Sequence, residues 1–141
     1  MASALFDPGR EGFLAGEIDY DTAVIKVALM RGYTFSAAHK FVNEVVATGT
    51  LVGTPVALAS KTTTAGVADA VDTTWTAVPT GAACDTILIY QASAVTGGAD
   101  VANTSQRVIA LLDSGTGLPV TPNGGDIIAA WDNGANKIFK L

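Results

Sequence analysis

A chain of 141 residues with 13 acidic and 8 basic side chains carries a formal net charge of −5. This charge argues against a nucleic-acid-binding protein, because such proteins need basic patches. Only 15% of the residues are charged, and no apolar stretch approaches the roughly 20 residues that span a bilayer. The low charge favours a surface that partners cover in a permanent assembly, although a β surface rich in Thr, Ser, Asn and Gly also accounts for it.

The N-terminal region predicts an arm followed by a short helix. Residues 1–7 form the arm, and they lack the basic and then apolar pattern of a secretory signal. Residues 7–16 are typical of a helix with Asp7 as N-cap, Pro8 at the first helical position and Gly16 in the left-handed position after the end. An aromatic residue before the cap, Phe6, is expected to pin this helix to a sheet.

The next two elements are a strand and a second helix. Residues 22–30 alternate so that one face is fully apolar and the other mostly apolar, which predicts a strand inside a sandwich or at an interface. Residues 36–47 place apolar side chains at helical spacing, with Ser36 as a possible cap and Gly49 after the end.

Further strands are predicted at residues 54–60, 67–78 (in two pieces), 85–91 and 107–113. Between the last two lies a polar stretch, residues 92–106, that is longer than most connections. A connection of this length is usually functional or mobile.

The C-terminal region predicts a β-hairpin. Residues 127–131 and 136–141 are two apolar runs separated by an Asn133-Gly134 turn, and such turns between apolar runs are a strong hairpin signal. With this hairpin the chain has about seven strands, separated by turns at the spacing of an all-β sandwich or barrel. We therefore predict one domain over residues 1–141 with one or two short helices.

Catalytic chemistry is not indicated. A nucleophile and its base must lie within hydrogen-bonding reach of each other, and nothing local suggests activation of His39 or of Cys84. A single cysteine excludes an intramolecular disulfide and fits a chain made in a reducing cytosol. The glycine pairs are not followed by a Lys-Ser/Thr pair or a helix, so no nucleotide cofactor is predicted.

An acidic cluster is the nearest approach to a metal site. Glu17, Asp19 and Asp21 alternate, and calcium takes six to eight oxygen ligands from such groups. The stretch lacks the glycine and the closing glutamate of an EF-hand loop, so a solvated acidic rim is the preferred interpretation and no metal is predicted.

Three stretches together resemble small structural proteins of tailed bacteriophages. They are PGREGFLAGEIDYDTAVIKVAL near the N-terminus, TAGVADAVDTTWTAV in the centre and SGTGLPVTPNGGDIIAAWDNGANKIFKL at the C-terminal end. The resemblance spans nearly the whole chain and implies no catalytic residue. It implies a virion protein assembled in the host cytoplasm, most similar to capsid decoration (cement) proteins.

On this resemblance, the expected role is to bind the outer surface of the capsid and stabilise it. The expected partners are the major capsid protein and other copies of the chain, as a homotrimer, with no nucleic acid or membrane. A tail tube or head–tail connector component and a receptor- or glycan-binding module are the alternatives. The residues expected at interfaces are Phe6, Tyr20, Tyr33, Phe35, Asp100 and Val101.

Overall fold

The computed structural model describes residues 3–141, which are mostly β. The strands are β1 (Ala4–Leu5), β2 (Ile25–Arg31), β3 (Thr50–Ala57), β4 (Val67–Ala68), β5 (Thr73–Trp75), β6 (Thr86–Gln91), β7 (Ser93–Ala94), β8 (Gly97–Asp100), β9 (Arg107–Leu112), β10 (Ile127–Ala129) and β11 (Phe139–Lys140). The helices are α1 (Asp7–Leu14), α2 (Val42–Val46) and a single 3₁₀ turn (Thr64–Gly66).

A five-stranded antiparallel sheet is the centre of the structure. Its strand order is β1-β9-β6-β2-β3, and three two-stranded ribbons, β10–β5, β11–β4 and β7–β8, lie outside it. The sheet ends in β1 and β3, so the described residues form no closed barrel. The barrel alternative is therefore wrong, while the mostly-β class is confirmed. The described strands are more numerous than the predicted seven, because the structure divides the β regions into shorter strands, several of which have only two or three residues.

Both faces of the central sheet are buried. Side chains of a strand alternate between faces, and in β2 Val27 and Leu29 join one apolar cluster while Ala28 and Met30 join another. All six residues of β6 are buried. The sequence predicted this two-sided burial, because the strand at residues 22–30 carries apolar side chains on both faces.

Different parts of the chain cover the two faces. Ribbons β10–β5 and β11–β4 cover the first, where Trp75, Trp131 and Ile138 belong to the same cluster as Val27. The segment that contains α2 covers the second, where Val42 and Val45 pack in the same cluster as Met30. The sheet is thus the middle layer of three.

Helix α1 differs from its prediction at its first residue. Phe6 has extended backbone angles and occupies the N-cap position, and Asp7 is already helical. The Asp7 carboxylate accepts a hydrogen bond from Arg10 at 3.0 Å instead of capping the helix. Gly16 has a φ of 71°, so it takes the predicted left-handed position after the helix. Of the predicted arm, residues 1 and 2 lie outside the described residues, and β1 pairs with β9.

The second helix is shorter than predicted, because only Val42–Val46 is helical. The backbone around the start of this helix bonds to another part of the chain. The carbonyl of Lys40 accepts a hydrogen bond from the N–H of Val108 at 3.0 Å, and the N–H of Val42 donates one to the carbonyl of Gln106 at 3.0 Å. The Glu44 carboxylate accepts from the N–H groups of Lys40 and Phe41 at 2.7 and 2.8 Å. Ser36 is therefore not the cap, and pairing with the start of β9 overrides the helical pattern.

The predicted C-terminal hairpin is wrong. Strand β10 pairs with β5 and β11 pairs with β4, so the two C-terminal strands do not pair with each other. Asp72 contributes to this arrangement, because its carboxylate accepts a hydrogen bond from the Trp131 N–H at 3.0 Å. Neither Asn133 nor Gly134 has the positive φ that a tight primed turn requires, so the turn that the Asn-Gly step predicted does not form.

Two further predictions change in extent. Strand β3 begins at Thr50 and runs to Ala57, earlier than the predicted 54–60. The stretch 92–106 is not one loop, because it contains the hairpin β7–β8. Glycines at 97 and 98 with positive φ make that tight reversal possible.

Two buried glycines, Gly9 and Gly12, lie on α1. A Cβ atom built on Gly9 would lie 2.9 Å from the carbonyl oxygen of Ile109 and 3.0 Å from that of Val108. These are backbone atoms of β9, which cannot rotate away. The absence of a side chain at Gly9 therefore lets α1 lie directly on the sheet.

We expect Gly9→Ala to lower the free energy of unfolding by about 1–3 kcal/mol, because the added methyl group forces α1 away from β9. Urea denaturation followed by circular dichroism measures the change. The matched control is Gly115→Ala, where the new Cβ would meet only Leu118 Cδ1 at 3.9 Å and stability should stay within about 1 kcal/mol of wild type. Equal stability of the two variants would contradict this role of Gly9.

Candidate interaction surfaces

Three of the predicted interface residues are buried inside the chain. Phe6, Tyr20 and Tyr33 are 0%, 5% and 7% exposed. The Tyr20 hydroxyl donates to the carbonyl of Asp69 at 3.0 Å, and burial followed by the nearby Asp69 charge raises the pKa of Tyr20. The expectation that these rings lie at the surface is therefore wrong, because the two apolar clusters use them as core.

The other three predicted residues keep accessible surface but are not brought together. Phe35 is half-buried, with its ring centroid 5.0 Å from that of Phe6. Asp100, on β8, is exposed and forms an ion pair with Lys26 at 2.5 Å. Val101 follows it, and its N–H donates to the carbonyl of Ala92 at 2.9 Å. Their role at an interface stays a prediction.

The acidic stretch is divided among separate structural tasks. Glu17 contacts the guanidinium of Arg107, which is 6% exposed. Asp19 closes a turn: its Oδ1 accepts from the N–H groups of Asp21 and Thr22 at 3.0 Å each, and the Thr22 hydroxyl also donates to its carboxylate. These bonds, led by the Thr22 hydroxyl, lower the pKa of Asp19. Among residues 3–141 no group of three or more His, Cys, Asp or Glu side chains is placed to hold a metal ion.

His39 and Cys84 lie on opposite sides of the central sheet. The His39 Nδ1 atom is 2.8 Å from the hydroxyl of Tyr33, which belongs to the cluster on the second face. Cys84 is fully buried in the cluster on the first face, and its burial raises the pKa of the thiol. A raised pKa disfavours the reactive thiolate, and the sheet separates the thiol from the imidazole.

An apolar groove of about 450 Å³, which we call the Phe139 groove, lies between the end of α1 and β11. Its floor includes aromatic rings: the centroids of Phe13 and Tyr20 are 6.1 and 5.7 Å from that of Phe139. Other lining residues are Ile18, Val67, Val95 and Leu141. The sequence predicted a strand over residues 136–141 but not this groove, because α1 and β11 meet only in the folded chain.

Two of the apolar side chains that line this groove keep accessible surface. Leu141 is 58% exposed and Val95 is 37% exposed. Single exposed apolar residues are ordinary, whereas a group of them beside an apolar groove marks an interaction site. The Phe139 groove is therefore a candidate docking surface.

A second and larger depression, of about 790 Å³, runs between β10 and the turn at residues 114–118; we call it the β10 cleft. Two tryptophans line it. The indole N–H of Trp75 donates to the Val27 carbonyl at 3.3 Å, whereas the buried Nε1 of Trp131 has no hydrogen-bond partner among residues 3–141. Ile128, on β10, is 66% exposed. This cleft differs from the Phe139 groove because it combines apolar walls with an indole N–H, that of Trp131, that donates to no acceptor in the described chain.

Comparisons with known protein families, with curated proteins and with solved structures found no match to this chain. No helix in residues 3–141 has both the length and the apolar character needed to cross a membrane.

The turn closed by Asp19 makes a pH-dependent contribution to stability. The carboxylate has a pKa below its ordinary value of 3.8, so its contribution is present above that value and is lost as the pH falls through the lower folded pKa. We expect Asp19→Asn to lower the free energy of unfolding by about 1 kcal/mol at neutral pH. The difference from wild type should shrink as the solution is acidified through 3.8 and below.

Urea denaturation over a pH series measures this effect. Asp21→Asn is the control, because Asp21 contributes its backbone N–H to the turn and the substitution leaves that N–H in place. A loss of stability in Asp19→Asn that stays constant at acidic pH would contradict the assignment to the charged carboxylate.

Proposed function

We propose that the chain is a non-enzymatic structural protein of a tailed-bacteriophage virion. In this proposal it binds the outer surface of the capsid as a decoration protein, through the major capsid protein and as a homotrimer. Support comes from the resemblance of its three sequence stretches to such proteins and from the low fraction of charged residues, 15%. Closed symmetry is the usual arrangement of soluble homo-oligomers.

The single observation that carries the proposal is the Phe139 groove with its exposed apolar rim. A protein that stabilises a shell must bury apolar surface against it, and burial stabilises by about 25 cal/mol per Å² of apolar area. Of the exposed apolar residues that line the groove, Leu141, at 58% exposure, loses the most water contact when it is covered. Few charged groups would lose hydration when the groove is covered, because Asp19 and Asp21 are the only lining residues of the described groove that carry charged side chains.

The fold suits a rigid component. We interpret the three layers as a sandwich-like arrangement, in which the ribbons β10–β5 and β11–β4 take the place of a second sheet over the central one. The polar groups at Tyr20, Asp19 and Tyr33 have partners within the chain, which favours a binding role over a catalytic one.

A tail tube or head–tail connector component is the second candidate, and one observation favours it. Strand β3, with eight residues, is an edge of the central sheet, and subunits of a ring can join by adding a strand to such an edge. Rings or tubes of the purified chain in negative-stain images would favour this candidate. The glycan-binding alternative requires exposed aromatic side chains close to Asp or Asn. The residues nearest to such a cluster are Tyr20, Asp19, Asp21 and Tyr33, and both tyrosines are buried.

The decoration role is tested with shells of the encoding phage that were assembled without this chain. Wild-type protein should co-sediment with them to saturation at many copies per particle. We expect Leu141→Asp to bind at least about tenfold more weakly, because the charge must be desolvated where an apolar side chain of the groove was covered. Its thermal stability should change little, because the Leu141 side chain is 58% exposed.

Val71→Asp is the matched control. Val71 is also exposed, at 52%, but it lines neither the Phe139 groove nor the β10 cleft. The Val71→Asp variant should bind the shell as the wild-type chain does. Failure of the wild-type chain to bind the shell, presence of the chain at tail stoichiometry, or equal losses in the two variants would overturn the proposal.

A further inference from the structure

We propose that the β10 cleft binds an extended segment of another protein chain, in which β-forming apolar residues are flanked by Lys or Arg, as an added strand on the free edge of β10. This inference goes beyond the proposed function, because it concerns a second surface that does not share residues with the Phe139 groove.

The shape of the cleft follows the edge of the strand. Strand β10 pairs on one side with β5 and is otherwise an edge. Seven consecutive residues, 126–132, line the cleft. Because successive side chains point to opposite faces of a strand, a cleft that touches every residue runs along the backbone edge and not over one face.

The backbone directions support the same conclusion. Gly125 C=O accepts from Val78 N–H at 2.9 Å, and Trp131 N–H donates to Asp72 at 3.0 Å, so both residues point their backbone groups to the β5 side. In an antiparallel ladder this direction alternates along the strand. The N–H and C=O of Ile128 therefore point to the opposite side, where an added strand would pair with them.

An unused hydrogen-bond donor lies beside this edge. Trp131 is 9% exposed, and its Nε1 is buried without an acceptor in the described chain. A buried donor without a partner costs about 1–3 kcal/mol, and the indole of Trp75 avoids that cost by donating to Val27. A backbone carbonyl of an added strand would supply the acceptor that Trp131 lacks once the indole turns toward the edge, because Nε1 is covered by the chain itself before binding.

The walls of the cleft suit alternating side chains. Ile128 is 66% exposed, and an exposed β-branched residue on a strand edge offers a cross-strand contact to an added strand. Across from it, Leu112, Leu118 and Val120 form an apolar wall. A strand with small apolar residues at alternate positions would cover both.

The charges select the kind of partner. The carboxylates of Asp126 and Asp132 are at the two ends of the lining stretch, and the lining residue Lys137 is already paired with Asp69 at 2.7 Å. A partner segment with basic side chains complements these carboxylates. A second copy of this chain would bring a net charge of −5, so we assign the cleft to a different, basic chain.

The test uses the folded full-length chain and synthetic peptides. The probe alternates Val and Thr between terminal Lys residues, and two control peptides carry terminal Glu residues or a central Pro. Titration followed by tryptophan fluorescence should show saturable binding of the Lys peptide, with binding at least about tenfold weaker for both controls. Hydrogen exchange measured by NMR should show the Ile128 amide becoming protected when the Lys peptide binds.

Two variants separate this site from the rest of the surface. Trp131→Phe keeps the ring and removes the N–H, and it should weaken binding about fivefold, the equivalent of one hydrogen bond. Leu141→Asp, in the Phe139 groove, should bind the peptide as wild type does, although it is expected to bind the shell more weakly. The two proposals can therefore fail independently.

Three outcomes would overturn the inference. The first is no saturable binding of the Lys peptide, and the second is equal binding of the Glu peptide. The third is unchanged affinity in Trp131→Phe together with an unprotected Ile128 amide. Because the amide measurement is made on the wild-type chain, the proposal stays falsifiable even if a variant does not fold.

Discussion

The burial of both faces of the central sheet is the constraint on which the rest of the structure depends. The three inner strands β9, β6 and β2 present apolar side chains in both directions, so a single covering layer would leave one face in water. Each face uses segments that are distant in sequence to cover it. Most of the chain outside the sheet serves this purpose, and its local structure is short and irregular as a result.

The covering ribbons also explain where the candidate surfaces lie. A two-stranded ribbon has two free edges, and β10 and β11 each pair with only one partner. The β10 cleft follows one of these edges, and the Phe139 groove lies where β11 meets the end of α1. The surfaces available to other molecules are therefore a consequence of how the sheet is covered.

The polar side chains of this chain stabilise the fold. Glu44 accepts from backbone N–H groups before α2, and these bonds lower its pKa. Arg107 reaches from β9 to Glu17 and to the carbonyl of Pro8, which joins the sheet to α1 and the following turn. Such groups hold neighbouring elements of the fold together.

The amino-acid sequence determined the mostly-β class, the central strands β2, β6 and β9, the helix α1 and its end at Gly16, because these depend on alternation and turn chemistry within short windows. Only the tertiary structure decided that β10 and β11 pair with β5 and β4, because a short-range signal such as Asn133-Gly134 carries no information about a distant partner. It also decided that Tyr20 and Tyr33 are core. Their burial depends on which segments cover the sheet, and neighbouring residues in the sequence carry no information about that long-range packing.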